Sequence, residues 1–258
     1  MRIWDKVLRL FGTNRVQMQW RRDRRGDSRI LEGFPLVTAT LLGGCALLYY
    51  LSLQLSGEEA GFEPTPLALI RLGADYGPLV LQLGEWWRPV TSMFLHGDGL
   101  HILFNGFALW TVGVVAEERF GRARAFVAFV ACGALGQTAS IFWYRNTIGI
   151  GASGAIFGLI ALCVVHALRT RDTELRARFV PWLIYGLIIG FMSRGIDNAA
   201  HVGGLVTGAL FGLVLGDERQ VRRLPAWLWN LLALAVLAVV GVGFYLAAHS
   251  GAAEALGS

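Results

Sequence analysis

Seven stretches of mostly apolar residues, at 34–56, 91–116, 125–143, 151–168, 179–193, 198–216 and 225–248, constrain this chain more than any other feature. A bilayer offers no water to backbone N–H and C=O groups, so a segment that crosses it must satisfy them internally, as an α-helix of about 20 residues does. With 55% hydrophobic and only 16% charged residues among 258, the chain is too apolar for a water-soluble domain of its size. The expected fold is therefore all-α, a polytopic membrane protein. The fifth segment is the shortest and closes at Ser193-Arg194-Gly195, while the second and sixth contain histidines and asparagines near their starts.

Lys and Arg collect in loops that stay in the cytoplasm. With the N-terminus inside, nineteen of the 23 fall on the cytoplasmic side: nine in residues 1–33, then Arg119, Arg122 and Arg124, then Arg169, Arg171, Arg176 and Arg178, then Arg219, Arg222 and Arg223. Only Arg71, Arg88, Arg145 and Arg194 fall outside. This partition predicts a cytoplasmic N-terminus and an outer C-terminus, and it accounts for the net charge of +5 without a nucleic-acid surface.

Residues 1–33 lack an apolar h-region and carry Asp5, Asp23, Asp27 and Glu32, so they read as a basic cytoplasmic extension and not as a signal or transit peptide. Trp4, Val7, Leu8 and Phe11 share one helical face suited to the inner leaflet, although a solvated arm accounts for them equally well. Cys45, Cys132 and Cys163 lie in apolar segments at unrelated spacings, which suits neither a disulfide framework nor a zinc site. The outer stretch 57–90 is too apolar for a solvated linker and predicts a structured interfacial loop anchored by Trp86 and Trp87.

Polar groups inside spans are costly, so each raises a functional hypothesis. The second segment holds His96, His101 and Asn105, the fourth Gly151-Ala152-Ser153-Gly154, and the sixth Asp197, Asn198 and His201. All three segments run from outside to inside, and their polar residues lie near their beginnings. His101, Asn105, Ser153 and His201 therefore share a depth of about one to three turns below the outer surface. His101 and Asn105 are i, i+4 on one face. Gly154 and Gly158 on one helix, and Gly204, Gly208 and Gly212 beside His201 on another, are small-xxx-small stripes that let helices approach closely.

A serine hydroxyl is almost wholly protonated at neutral pH and needs an adjacent base to become a nucleophile. His201 has the right proton affinity. The Ser153 amide at a helix N-terminus, the Asn105 amide and His101 are candidate donors to an oxyanion. Asp197 lies one turn before His201, nearer the surface, where a loop or capping role competes with that of an acidic third member.

These residues give the sequence its resemblance to the rhomboid family of intramembrane serine proteases. The matching elements are His101-x-x-x-Asn105 preceded by His96, the GxSG of Gly151 to Gly154, Ala200-His201 followed by Gly204 and Gly208, and the loop dipeptide Trp87-Arg88. GxSG alone is weak, since other hydrolases share it; three elements on the correct helices are specific. The resemblance implies a six-helix core with one further C-terminal helix, and a Ser153–His201 dyad without a catalytic acid, facing a water-filled cavity that opens outward. It further implies that Asn105, His101 and backbone amides hold the oxyanion, with His96 and Gly151 beside them, and that Phe157 packs on His201. Trp87 and Arg88 are expected to brace the outer loop.

The chain so read comprises the extension 1–33, a catalytic core 34–216, and a segment 217–258 with a cytoplasmic loop, the seventh helix and a short tail. The expected activity is endopeptidase cleavage of transmembrane segments near the outer face, in a bacterial inner membrane by preference, with membrane-protein substrates and no cofactor or metal. A metalloprotease lacks its HExxH here, and a transporter its inverted repeat. A catalytically silent rhomboid-like protein that binds membrane clients is the remaining alternative.

Overall fold

The computed structural model describes residues 34–193, 195–215 and 225–251. The expected extension at 1–33 lies outside the described residues, as do Arg194, Arg219, Arg222 and Arg223. In chain order the elements are α1 (Leu36–Ser56), α2 (Pro66–Arg71), β1 (Asp75–Tyr76), α3 (Gly77–Leu81), α4 (Arg88–Ser92), α5 (Gly99–Phe120), α6 (Arg122–Trp143), β2 (Ile148–Gly149), α7 (Ser153–Thr170), α8 (Thr173–Met192), α9 (Asn198–Leu215) and α10 (Ala226–His249). Seven of these, α1 and α5 to α10, are long and apolar enough to cross a membrane. The protein is a multi-pass, all-α integral membrane protein.

α7 is the central helix, with 72% of its apolar window buried against 11% for α10. It packs on α9, α6, α8 and α5. Glycines set the closest of these contacts. A β-carbon on Gly204 would overlap the carbonyl of Gly154, and one on Gly208 the carbonyl of Gly158, so α7 and α9 meet backbone to backbone. The Ala200 carbonyl lies between α7 and α6: its oxygen would be 3.0 Å from a β-carbon on Gly154 and 2.6 Å from one on Gly136 of α6.

Two spans differ from their expected limits. The second does not begin at 91: α4 ends at Ser92, residues 93–98 form a turn, and α5 starts at Gly99, where the Asp98 carboxylate accepts the His101 amide at 2.8 Å. His96 is therefore a loop residue. The fifth span is a full 20-residue helix capped by Asp172, which accepts the Leu175 amide at 2.9 Å, with Pro181 inside it. The charges of Glu174, Arg176 and Arg178 disguise its first turns as a loop.

α5 runs past its apolar stretch to Phe120, which carries Glu117 to the start of α1. There its buried carboxylate accepts the amides of Val37 and Thr38, at 3.1 and 2.5 Å, and the Thr38 hydroxyl. It thus caps α1, whose own N-cap residue, Pro35, supplies no side-chain bond. Glu117→Ala is expected to lower stability by about 2 kcal/mol, the scale for losing hydrogen bonds to a charged group; thermal unfolding in micelles checks this.

The loop between α1 and α5 is structured, as expected, and an antiparallel bridge ties it to the α6–α7 connection, pairing Asp75 with Gly149 and Tyr76 with Ile148. The seventh span, α10, lies against α6 and α4. Phe244 meets Phe94 at 6.0 Å between ring centroids, and the Ser250 hydroxyl donates to Glu85 at 2.6 Å.

Candidate active site

The segment before α7 is a strand, a turn and a helix start. Gly151 makes the turn at φ +114, a conformation L side chains rarely adopt, and a β-carbon there would fall 2.7 Å from His101 Nε2. Its amide donates to the Ser92 carbonyl at 3.1 Å and its carbonyl accepts from Gln137 Nε2 at 3.3 Å. Gly151 thus supports the site by its shape, and its N–H is already engaged. Ser153 follows as the first residue of α7, so its own N–H has no intrahelical acceptor.

His201 stands on the first turn of α9, which the glycine contact brings against α7. Its Nε2 lies 2.8 Å from Ser153 Oγ. The Phe157 ring, one turn beyond the serine, stacks on the imidazole at 4.3 Å between centroids and 24° between planes. Asp197 is not an orienting acid: its carboxylate accepts the Ala200 amide at 2.9 Å, capping α9. His201 Nδ1 has no hydrogen-bond partner among the described residues.

α5 presents His101 and Asn105 to the same turn, with Asn105 Nδ2 3.8 Å from the position of a Gly151 β-carbon. Asn105 also lines a cavity of about 230 Å³ between α1 and α5, with Leu42, Cys45, His96 and Leu109. His96 is 1% exposed, lies edge-on to His101 at 5.0 Å, and neither of its ring nitrogens has a partner of normal geometry among the described residues. Burial, with His101 beside it, pushes its pKa down to about 3, so it is a neutral imidazole at ordinary pH.

Trp87 and Arg88 make their contacts within the first loop. The fully buried Arg88 guanidinium donates to the carbonyls of Ile70 and Ala74 at 3.0 and 2.8 Å and to Glu85 at 2.5 Å, and it lies 4.5 Å from the Trp87 ring centre. Ser153, His201, Phe157, His101, Asn105, Gly151 and His96 therefore gather around one turn, Gly204 and Gly208 set the spacing of α7 and α9, and Trp87 and Arg88 hold the loop beside them.

Sequence reasoning missed Asp75. It is 1% exposed, lies against Gly149, and accepts from the Ser92 hydroxyl at 3.3 Å, which links the first loop to the residue whose carbonyl holds Gly151. Burial, reinforced by Asp197, pushes its carboxyl up to about 7 against the hydrogen bonds from Ser92 and Gly149 and the charge of Arg88. A lone aspartate in an apolar loop carries no sequence signal of that partnership.

A histidine stacked on an aromatic ring and bonded to a serine at the head of a central spanning helix defines a class: polytopic helical membrane proteins with a Ser–His pair inside the bundle. The chain belongs to the rhomboid family, whose Rhomboid domain model matches residues 83–218. It is 33% identical over 232 residues to rhomboid protease GluP of Bacillus subtilis (strain 168), a match covering 88% of this chain and 44% of that protein. Rhomboid protease AarA of Providencia stuartii is 31% identical over 172 residues, covering 56% of this chain and 61% of AarA. The mitochondrial RHOMBOID-like protein 6 of Arabidopsis thaliana is 31% identical over 193 residues, covering 72% of this chain and 62% of its own length. The chain thus spans between 44% and 62% of these relatives.

Proposed function

We propose that the protein is an intramembrane serine endopeptidase that cleaves transmembrane segments of other membrane proteins near the outer face. The observation that carries this reading is the 2.8 Å contact between Ser153 Oγ and His201 Nε2 in the bundle. As general base, Nε2 must be the unprotonated nitrogen, which leaves the proton on Nδ1. Ser153 Oγ attacks the scissile carbonyl carbon as His201 takes its proton; His201 then gives that proton to the leaving amine, and the peptide C–N bond breaks. Water, deprotonated by the same imidazole, resolves the acyl-enzyme. The developing oxyanion meets the Ser153 amide, Asn105 and His101. Stacking on Phe157 restrains the imidazole in place of an acid.

The outward placement of the site rests on the distribution of Lys and Arg, which puts the N-terminus in the cytoplasm and the head of α7 at the opposite surface. A bacterial inner membrane fits that distribution. A client helix must unwind to expose a carbonyl, so Gly or Pro near its outer end favours cleavage. The chemistry requires no cofactor.

The test is reconstitution in liposomes with a fluorescently labelled single-span substrate weakened by Gly and Pro. Cleavage near one membrane face is expected, together with covalent labelling by a fluorophosphonate that stops it. Binding without cleavage or labelling, across several such substrates, would favour the silent client-binding alternative.

A further inference from the structure

Two buried polar atoms beside the Ser–His pair lack hydrogen-bond partners among the described residues: Asn198 Oδ1 and His201 Nδ1. They sit three residues apart on the first turn of α9 and so share a face. The amide orientation of Asn198 is fixed, because its Nδ2 donates to the Gly190 carbonyl of α8 at 3.0 Å, which leaves Oδ1 as the outward acceptor. Both orphan atoms flank one point. The position of a β-carbon on Gly190 is 2.6 Å from Oδ1 and 3.4 Å from Nδ1. With glycine at 190 no side chain stands between the two atoms, which those distances put no more than about 6 Å apart, a span that one bridging water or a small rotation of the Asn198 side chain closes.

The atoms are also complementary. A base that uses Nε2 carries its proton on Nδ1, and a protonated Nδ1 needs an acceptor; Oδ1 is an acceptor without a donor. Other acceptors near this histidine are engaged: the Asp197 carboxylate accepts the Ala200 amide, and Ser153 Oγ is bonded to Nε2. Resting on the protease reading above, we propose that Asn198 is a positioning residue for His201, accepting the Nδ1 proton across the gap that Gly190 leaves open and so selecting the tautomer that can act as base. The site is then a serine, a histidine and a neutral amide. Gly190 belongs to the same device, since an alanine there would put a methyl group where the link runs.

The experiment compares Asn198→Ala, Asn198→Asp and Gly190→Ala with the wild-type full chain in liposomes, recording kcat, KM and unfolding temperature for each, and the ¹⁵N resonance of His201 Nδ1 in micelles. Asn198→Ala and Gly190→Ala are expected to lower kcat about tenfold, the scale of one neutral hydrogen bond, with KM unchanged. Asn198→Asp, nearly isosteric, is expected to move the acid limb of the kcat profile about one unit to higher pH, because a carboxylate beside Nδ1 favours the imidazolium. A purely structural asparagine would leave that profile in place. The Nδ1 resonance is expected to shift in every variant, and this holds whether or not substrate is cut. An unchanged resonance in Asn198→Asp, or an active wild type whose pH profile and kcat the variants share, overturns the role of Asn198. A wild type that neither cleaves nor takes up fluorophosphonate, with the resonance shifting in the variants, overturns the protease reading and leaves the Asn198 contact standing.

Discussion

Ser153→Ala is expected to lower the rate of substrate cleavage by about 10⁴-fold and to end fluorophosphonate labelling, with the unfolding temperature almost unchanged. Ser153 is half-buried, and the bond it loses is the one to His201. His201→Ala should cost nearly as much in rate, because a serine without a base remains protonated. The double variant should cost no more than Ser153→Ala alone, since the two side chains act as one unit. Multiplying losses in the double variant would mean that His201 serves some other step. Residual labelling in Ser153→Ala would move the nucleophile elsewhere.

The second large effect concerns stability and has an unusual sign. In a helix, Gly→Ala ordinarily stabilises by up to about 1 kcal/mol. At Gly204 and Gly208 it is expected to destabilise by about 3 kcal/mol or more, because the added carbon would overlap the carbonyls of Gly154 and Gly158 and overpacking has no room to relax. The same step should draw Ser153 and His201 apart and lower kcat. Gly43→Ala and Gly44→Ala are the controls, since nothing lies within 4 Å of a β-carbon at either position on α1. They should be neutral or mildly stabilising. Equal unfolding temperatures for all four variants would show that α7 and α9 are not held by backbone contact.

What the sequence disclosed divides along physical lines. Apolar runs and glycine spacing are local signals, so the seven spans and the small faces of α7 and α9 were readable, as were the polar residues those spans bring to one depth. Contacts between segments that share no motif were not. The Asp75–Gly149 bridge joins residues with no pattern of their own; Glu117, at the end of the second apolar segment, reads in the sequence as a capping or interloop partner, but the helix it caps, α1, lies 80 positions away at Val37. The separation of α4 from α5 depends on Asp98 capping a helix from between two glycines, a weak punctuation inside an apolar stretch. His96 consequently changed from a helix residue to a loop residue. The orphan pair at Asn198 and His201 became visible only when α8 was placed beside them.

The brevity of the central helix bears on the lipid. α7, which ends at a left-handed Arg171, has 18 residues, a rise of about 27 Å, against a hydrocarbon core of about 30 Å. Local thinning of the bilayer is one way to accommodate a span that falls short of it. A partner helix of ordinary length that drifts alongside would then overhang this dimple, and the turn left outside the hydrocarbon would trade its lipid neighbours for water before touching any side chain.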